Sequence, residues 1–204
     1  MRLRGYDYGS AGAYFITMCT QNRACLFGNI ADDVMVLNPA GQMIAAWWVA
    51  LAQKFSGIQT DDFVVMPNHF HGIVTIHPVG ADLRVCPEPD IRHAADHEFP
   101  HGGDLGEHMG SPLRGGDNGG GVDTTADVGL SRAMQWFKTM TTNHYIRGVK
   151  EDGWPPFEKR VWQRNYYDHI IRHEEALMRI QTYIRNNPAS WQGDQLHPQN
   201  PSKW

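Results

Sequence analysis

Cysteine is scarce in this chain, and the three residues present form no pattern. Cys19, Cys25 and Cys86 are odd in number and lack C-x-x-C spacing. That excludes a disulfide framework and a cysteine-based zinc site, and a reducing compartment is the simplest reading. Long apolar runs are missing too. No stretch approaches the roughly 18 apolar residues of a membrane helix. The opening MRLRGYDYGSAG starts basic but has no apolar segment of the kind a secretory signal needs. A cytoplasmic protein without a membrane partner is expected.

A strong excess of either charge is also absent. The formal net charge of −4, taken as an average, argues against a nucleic-acid partner. The average conceals a division. Residues 78–130 hold 11 of the 21 glycines, including GGDNGGG at 115–121, with ten acidic and three basic side chains. The rest of the chain carries 15 basic and 12 acidic groups, a formal +3. The acidity therefore sits in one stretch that has no periodicity and too little apolar surface to order itself. The 204 residues fit a single domain interrupted by a long disordered insertion at about 78–130.

Outside that stretch the pattern is regular. AYFITMCT at 13–20 is β-branched and aromatic after a Gly-containing turn, and predicts a strand. Residues 38–55 predict a helix, with Asn38 as cap, Pro39 in the first position and apolar residues at helical spacing. DFVVM at 62–66 and HFHGIVTI at 69–76 predict two strands joined tightly through Pro67-Asn68. A second helix is expected from Ser131, its candidate cap, and a strand within 161–171. A third helix over 174–187 has an acidic first turn and apolar Leu177, Ile180 and Ile184, and Pro188 ends it. The tail from Pro188 reads as irregular. This order predicts an α+β fold, an antiparallel sheet with helices on one face.

One strand is odd. Side chains alternate along a strand, so His69 and His71 share one face while Phe70 points to the other. Phe70 belongs with the core. Two imidazoles about 7 Å apart on one face can converge on a single ion if a further ligand is supplied. Chance accounts for many such pairs in a chain with 11 histidines, and His93, His97, His101 and His108 in the acidic stretch suggest adventitious binding at most. On the third helix, Tyr183 and Asn187 lie one turn apart on one face. Asn187 offers a hard carbonyl oxygen, and Tyr183 offers a phenol able to act as a nucleophile. Each also has an ordinary structural reading, as a half-buried aromatic and as a helix C-terminal residue.

Four stretches together carry a resemblance: RLRGYDYGSAGAYFITMCTQNRACLFG at 2–28, DDFVVMPNHFHGIVTI at 61–76, VWQRNYYDHIIRHEEAL at 161–177 and YIRNNP at 183–188. The chain resembles the single-tyrosine HUH transposases, in particular the REP-associated tyrosine transposase branch of the family found in the smallest bacterial insertion sequences. The likeness covers most of the chain outside 78–130. His69-Phe70-His71 corresponds to the HUH signature, with MPN before it and Y-x-x-x-N-P after it in the right order.

The resemblance implies a ferredoxin-like (RRM-like) sheet. It implies that His69, His71 and Asn187 bind Mg²⁺ or Mn²⁺. It implies that Tyr183 attacks a phosphodiester in single-stranded, hairpin-forming DNA, giving a 5′-phosphotyrosine and a free 3′-hydroxyl. Monomer and homodimer are both compatible with it. Arg164, Tyr166 and Lys138 are candidate DNA contacts. Tyr166 and Tyr167 compete as nucleophiles but have no ligand one turn on. Two other functions stay open: an RRM-like nucleic-acid-binding module without catalysis, and a metal-dependent hydrolase acting through water.

Overall fold

The computed structural model describes residues 11–77 and 129–201. The expected disordered insertion, and with it the expected single-domain organisation across 78–130, lies outside those residues except for its last two positions.

Among the described residues, four strands form one antiparallel sheet: β1 (Gly12–Cys19), β4 (Ile58–Val65), β5 (His69–Ile76) and β6 (Tyr167–Ile171), in the order β4-β5-β1-β6. Two further strands, β2 (Gly28–Ala31) and β3 (Val34–Leu37), make a separate hairpin. Helix α1 (Pro39–Lys54) connects β3 to β4, α2 (Leu130–Glu151) precedes β6, and α3 (Glu174–Asn186) follows it. The β1-α1-β4-β5-α2-β6 order puts β5 between β4 and β1, which is the ferredoxin-like arrangement.

Local chemistry explains the element ends. Asn38 caps α1, its Oδ1 accepting from Gly41 N at 2.9 Å, and Pro39 occupies the first turn. Met66 N donates to His69 O at 2.8 Å across Pro67-Asn68, closing the β4–β5 turn. The hairpin turns at Asp32 and Asp33, both at positive φ (50° and 61°), as a tight two-residue turn requires. Ser131 does not cap α2. The helix begins one residue earlier at Leu130, whose fully buried side chain is part of the core, and Gly129 takes the cap position without a side-chain bond. The strand expected within 161–171 pairs continuously only from Tyr167, after an isolated antiparallel bridge between Trp162 and Thr20. Upstream, Val161 and Trp162 sink into the core, and Trp162 Nε1 donates to Thr141 Oγ1 at 2.9 Å.

The main core lies on one face of the sheet. Tyr14, Ile16 and Met18 of β1 and Phe70 and Val74 of β5 pack against Ile44, Trp48 and Leu51 of α1 and Met134 and Phe137 of α2. Trp48 lies against Phe70, ring centroids 4.7 Å apart. Gly72 makes room for it, since a Cβ there would sit 2.7 Å from Trp48 Cζ2. The expected one-sided covering describes α1 and α2. Helix α3 instead lies on the opposite face, with Ile184 packed on Ile73 and Ile171 in a separate small cluster joined by Leu177 and Ile180. A β-bulge between Thr60 and Phe63 turns two acidic residues toward α3. Gln181 Nε2 donates to Asp61 Oδ2 at 3.2 Å, and Arg185 pairs with Asp62 at 2.8 Å.

Filling the space at Gly72 should overpack the core beneath β5. Gly72→Val is expected to lower unfolding stability by about 2 kcal/mol, read as a reduced urea midpoint at unchanged slope.

Candidate metal and nucleophile site

The face of the sheet away from the main core carries the polar row. His69 and His71 of β5 stand beside Cys19 and Thr17 of β1, their cross-strand partners. Both histidines lie on the face opposite core-facing Phe70, as the alternation requires, and both are buried there. Phe15 stacks on His71 at 5.2 Å. Burial of α3's Ile184 brings the neighbouring Tyr183 over this row. Its hydroxyl lies 3.3 Å from His71 Nε2, its ring edge-on to Phe15, and it remains 44% exposed.

The other ring nitrogens are already held. His69 Nδ1 donates to Asn68 Oδ1 at 2.8 Å, and Asn68 Nδ2 donates to Arg23 O at 3.1 Å and Leu196 O at 2.8 Å. With its amino group committed to two carbonyls, Asn68 presents its oxygen to the ring. That fixes the tautomer of His69 with a lone pair on Nε2. His71 Nδ1 lies 2.8 Å from Thr17 Oγ1. When Nδ1–H donates to that hydroxyl, Nε2 is left to accept from Tyr183. Both Nε2 atoms thus face the same space.

That space has the character of a cation site. His69 Nε2 and both polar atoms of the Asn187 side chain are buried without a hydrogen-bond partner, a costly arrangement unless something else binds them. Asp194, from the segment after α3, brings Oδ2 to 3.9 Å from His69 Nε2. His69, His71 and Asp194 offer one ligand atom each within 4.8 Å of one another, a group able to hold a metal ion. Burial pushes His69 down to about 4, against the opposing pull of Asp194 and Asn187. Burial and then His69 push His71 well below its ordinary value. Both are neutral at pH 7, as ligation requires. The residues present fit a divalent cation.

Tyr183 is shifted the other way. Burial, then the Asp194 carboxylate, raise its pKa above the ordinary 10, and Asn187 opposes them. The amide of Asn187 is close enough to affect both Tyr183 and His69. Beside the tyrosine opens a groove of about 740 Å³, lined by Phe15, His71, Gln163, Asn165, Tyr166 and Tyr167 among others.

Of the residues expected from sequence, His69, His71, Tyr183 and Asn187 come together. Tyr166 lines the groove, as does its rival Tyr167, and neither has the contact with His71 that Tyr183 has. Arg164 is exposed. Lys138 braces the loop before β6, donating from Nζ to Gln163 O at 2.5 Å and Arg164 O at 3.0 Å, and burial and then Arg160 lower its pKa to about 8. His93, His97, His101 and His108 lie outside the described residues. Sequence reasoning missed Asp194 and the pinning role of Asn68. The second had a visible signal, an asparagine directly before the histidine pair, and the first had none.

Among known proteins, the chain is 36% identical over 197 residues to an uncharacterized protein of Haemophilus influenzae, covering 97% of this chain and 91% of that one. The two belong to one family. No protein-family profile matches the chain. A solved REP-associated tyrosine transposase bound to a REP hairpin aligns with 93% of this chain and 73% of its own, at 18% identity and a TM-score of 0.49. A Deinococcus radiodurans protein described as a candidate transposase aligns with 91% and 96%, at 13% identity and a TM-score of 0.42. Both likenesses are too distant to define the chemistry. Among the described residues no helix is long and apolar enough to cross a membrane.

The geometry predicts the effect of one substitution and of acid. Asn68→Ala leaves the ring proton of His69 and two carbonyls without their partner, and should cost about 3 kcal/mol in urea unfolding. His69 and His71 are neutral in the folded protein and titrate near 6.5 when unfolded. The unfolded chain therefore binds more protons below that pH, and the stability they support is complete above about 6.5 and lost as pH falls toward 4. In EDTA, the urea midpoint of the wild type should drop over that window, and His69→Gln/His71→Gln should flatten the drop.

Proposed function

We propose that the protein is a metal-dependent enzyme that cuts and rejoins single-stranded DNA through Tyr183, a single-tyrosine HUH transposase of the REP-associated branch. The observation that carries the reading is the approach of the Tyr183 hydroxyl to within 3.3 Å of His71 Nε2, beside a second imidazole and a buried amide that lack partners. A phenol brought half-exposed to a desolvated histidine pair is poorly explained by packing alone. Its place at the end of an open groove lets it meet a polymer.

In this reading His69, His71 and Asn187 hold Mg²⁺ or Mn²⁺. The bound cation supplies Lewis-acid polarisation of the scissile phosphate and offsets charge in the transition state. Without the cation, burial and then the Asp194 carboxylate raise the Tyr183 pKa above its ordinary value. Attack forms the Tyr183 O–P bond with release of the phenolic proton to solvent, and breaks the bond from phosphorus to the 3′-oxygen, which takes up one proton from solvent and leaves as a 3′-hydroxyl. The phosphotyrosine conserves the energy of the broken bond. Attack by a 3′-hydroxyl reverses the step, and no nucleotide cofactor is consumed.

The groove supports a single-stranded substrate. Phe15, Tyr166 and Tyr167 offer ring surfaces for unpaired bases, and Gln163 and Asn165 offer amides for base edges. Cleavage of hairpin-bearing strands is the expected activity, with the exposed Arg164 as a phosphate contact. The same aromatic groove favours one rival, a nucleic-acid-binding module without catalysis.

A denaturing gel decides between them. Labelled hairpin oligonucleotides from the gene's own flanks are mixed with protein in Mn²⁺ or EDTA. The expected result is a covalent protein–DNA adduct in Mn²⁺, absent in EDTA and reduced by more than about 10³-fold in Tyr183→Phe and in His69→Ala/His71→Ala. Binding that persists in EDTA with no adduct on any flank points to the binding module. Turnover that survives in Tyr183→Phe points to hydrolysis by water.

A further inference from the structure

The segment after α3 was expected to be irregular, yet it is built into the site. A 3₁₀ turn over Pro188–Gly193 seats Trp191 near the His69 ring, centroids 5.9 Å apart. The next residue after that turn, Asp194, has a side chain only 6% exposed. Its Oδ1 accepts from Leu196 N at 2.6 Å, which orients the carboxylate and leaves Oδ2 facing His69. The backbone around it is tied down from the sheet side. Asn68 Nδ2 donates to Leu196 O, and Arg23 donates to His197 O at 3.1 Å and Asn200 O at 2.9 Å. Asn200 Nδ2 closes the segment on itself by donating to Asp194 O at 2.7 Å.

We propose that Asp194 is a ligand of the same cation as His69 and His71, and that cation binding therefore fastens residues 188–200 to the sheet. This rests on the metal-dependent function proposed for the site and deepens it. Three features carry it. The 3.9 Å gap from Oδ2 to His69 Nε2 is too long for a hydrogen bond, so the two groups face each other without satisfying each other. His69 Nε2 is buried and makes no well-formed hydrogen bond, with the Asn187 amide beside it. The buried Asp194 carboxylate and the two imidazoles bring one ligand atom each within 4.8 Å of one another, a spacing that a shared divalent cation satisfies. Two histidines and one carboxylate, with Asn187 adjacent, also make a mixed nitrogen and oxygen set suited to a divalent transition metal with positions left open for substrate. The C-terminal segment then contributes to the metal site as well as covering it.

The test reads metal binding and chain protection, without DNA. Wild type, Asp194→Asn and His69→Ala are stripped with EDTA and titrated with Mn²⁺, the free ion followed by its paramagnetic resonance signal. Asparagine keeps an oxygen for Leu196 N, so the turn should survive, and matching melting temperatures in EDTA check this. Asp194→Asn is expected to weaken Mn²⁺ binding by about tenfold or more. In the wild type alone, saturating Mn²⁺ should slow hydrogen exchange across 188–200. Mn²⁺ binding that is lost in His69→Ala but unchanged in Asp194→Asn overturns the proposal and leaves the metal-dependent function standing. Unchanged exchange of 188–200 in Mn²⁺-saturated wild type overturns it equally, and needs no variant to fold. Failure of the wild type to bind Mn²⁺ at all overturns both.

Discussion

The site depends on one buried amide. Asn68 has no exposed surface, and its two ends do different jobs: the oxygen fixes the ring of His69, and the nitrogen ties together two segments distant in sequence. The loop at Arg23 and the segment at Leu196 meet where one side chain donates to both. Asn68 also occupies the tight turn between β4 and β5, so the hairpin that sets the register of the histidines is the hairpin that holds their surroundings. A buried polar group with every bond made is specific in a way that apolar contact is not. It tolerates one arrangement of its neighbours, and that arrangement points His69 Nε2 into the site.

Much of this was legible in the sequence, for identifiable reasons. Alternation placed His69 and His71 on one face and Phe70 on the other, because the period of a strand leaves no other choice. Helical spacing put Tyr183 and Asn187 on a common face. The Asn38-Pro39 start of α1 was readable because capping is a local contact. The hairpin at 28–37 was not read. Its strands are four residues long, and Val34 and Val36 stay largely exposed, so no burial pattern marks them. The face chosen by α3 was hidden for another reason. Leu177, Ile180 and Ile184 announce an apolar stripe without saying which side of the sheet receives it. Asp194 had no local signature, since its position is set by bonds from Asn68 and Arg23 to carbonyls far along the chain. Lys138 was read as a candidate DNA contact, and the loop carbonyls of Gln163 and Arg164 that occupy it are visible only in three dimensions.

Charge in the site is arranged by exclusion. Two imidazoles that would ordinarily titrate near neutrality are kept uncharged by burial, and a phenol that would be mostly protonated anyway is held more firmly so. Nothing in the cluster of His69, His71 and Asn187 carries positive charge of its own at pH 7. A cation bound between His69, His71 and Asn187 would therefore meet lone pairs and no competing positive charge from the cluster itself.

The sheet has two unequal apolar faces. The large one, under α1 and α2, holds the fold together. The small one, where α3 rests on Ile73 and Ile171, is a separate cluster, supplemented by polar contacts to Asp61 and Asp62 at the surface. Local opening free energies follow buried apolar contact, so the helix bearing the tyrosine forms a cooperative unit weaker than the body it sits on. In the function proposed for the site, the tyrosine that would be joined to a long polymer is carried on the part of the molecule with the smaller apolar footing.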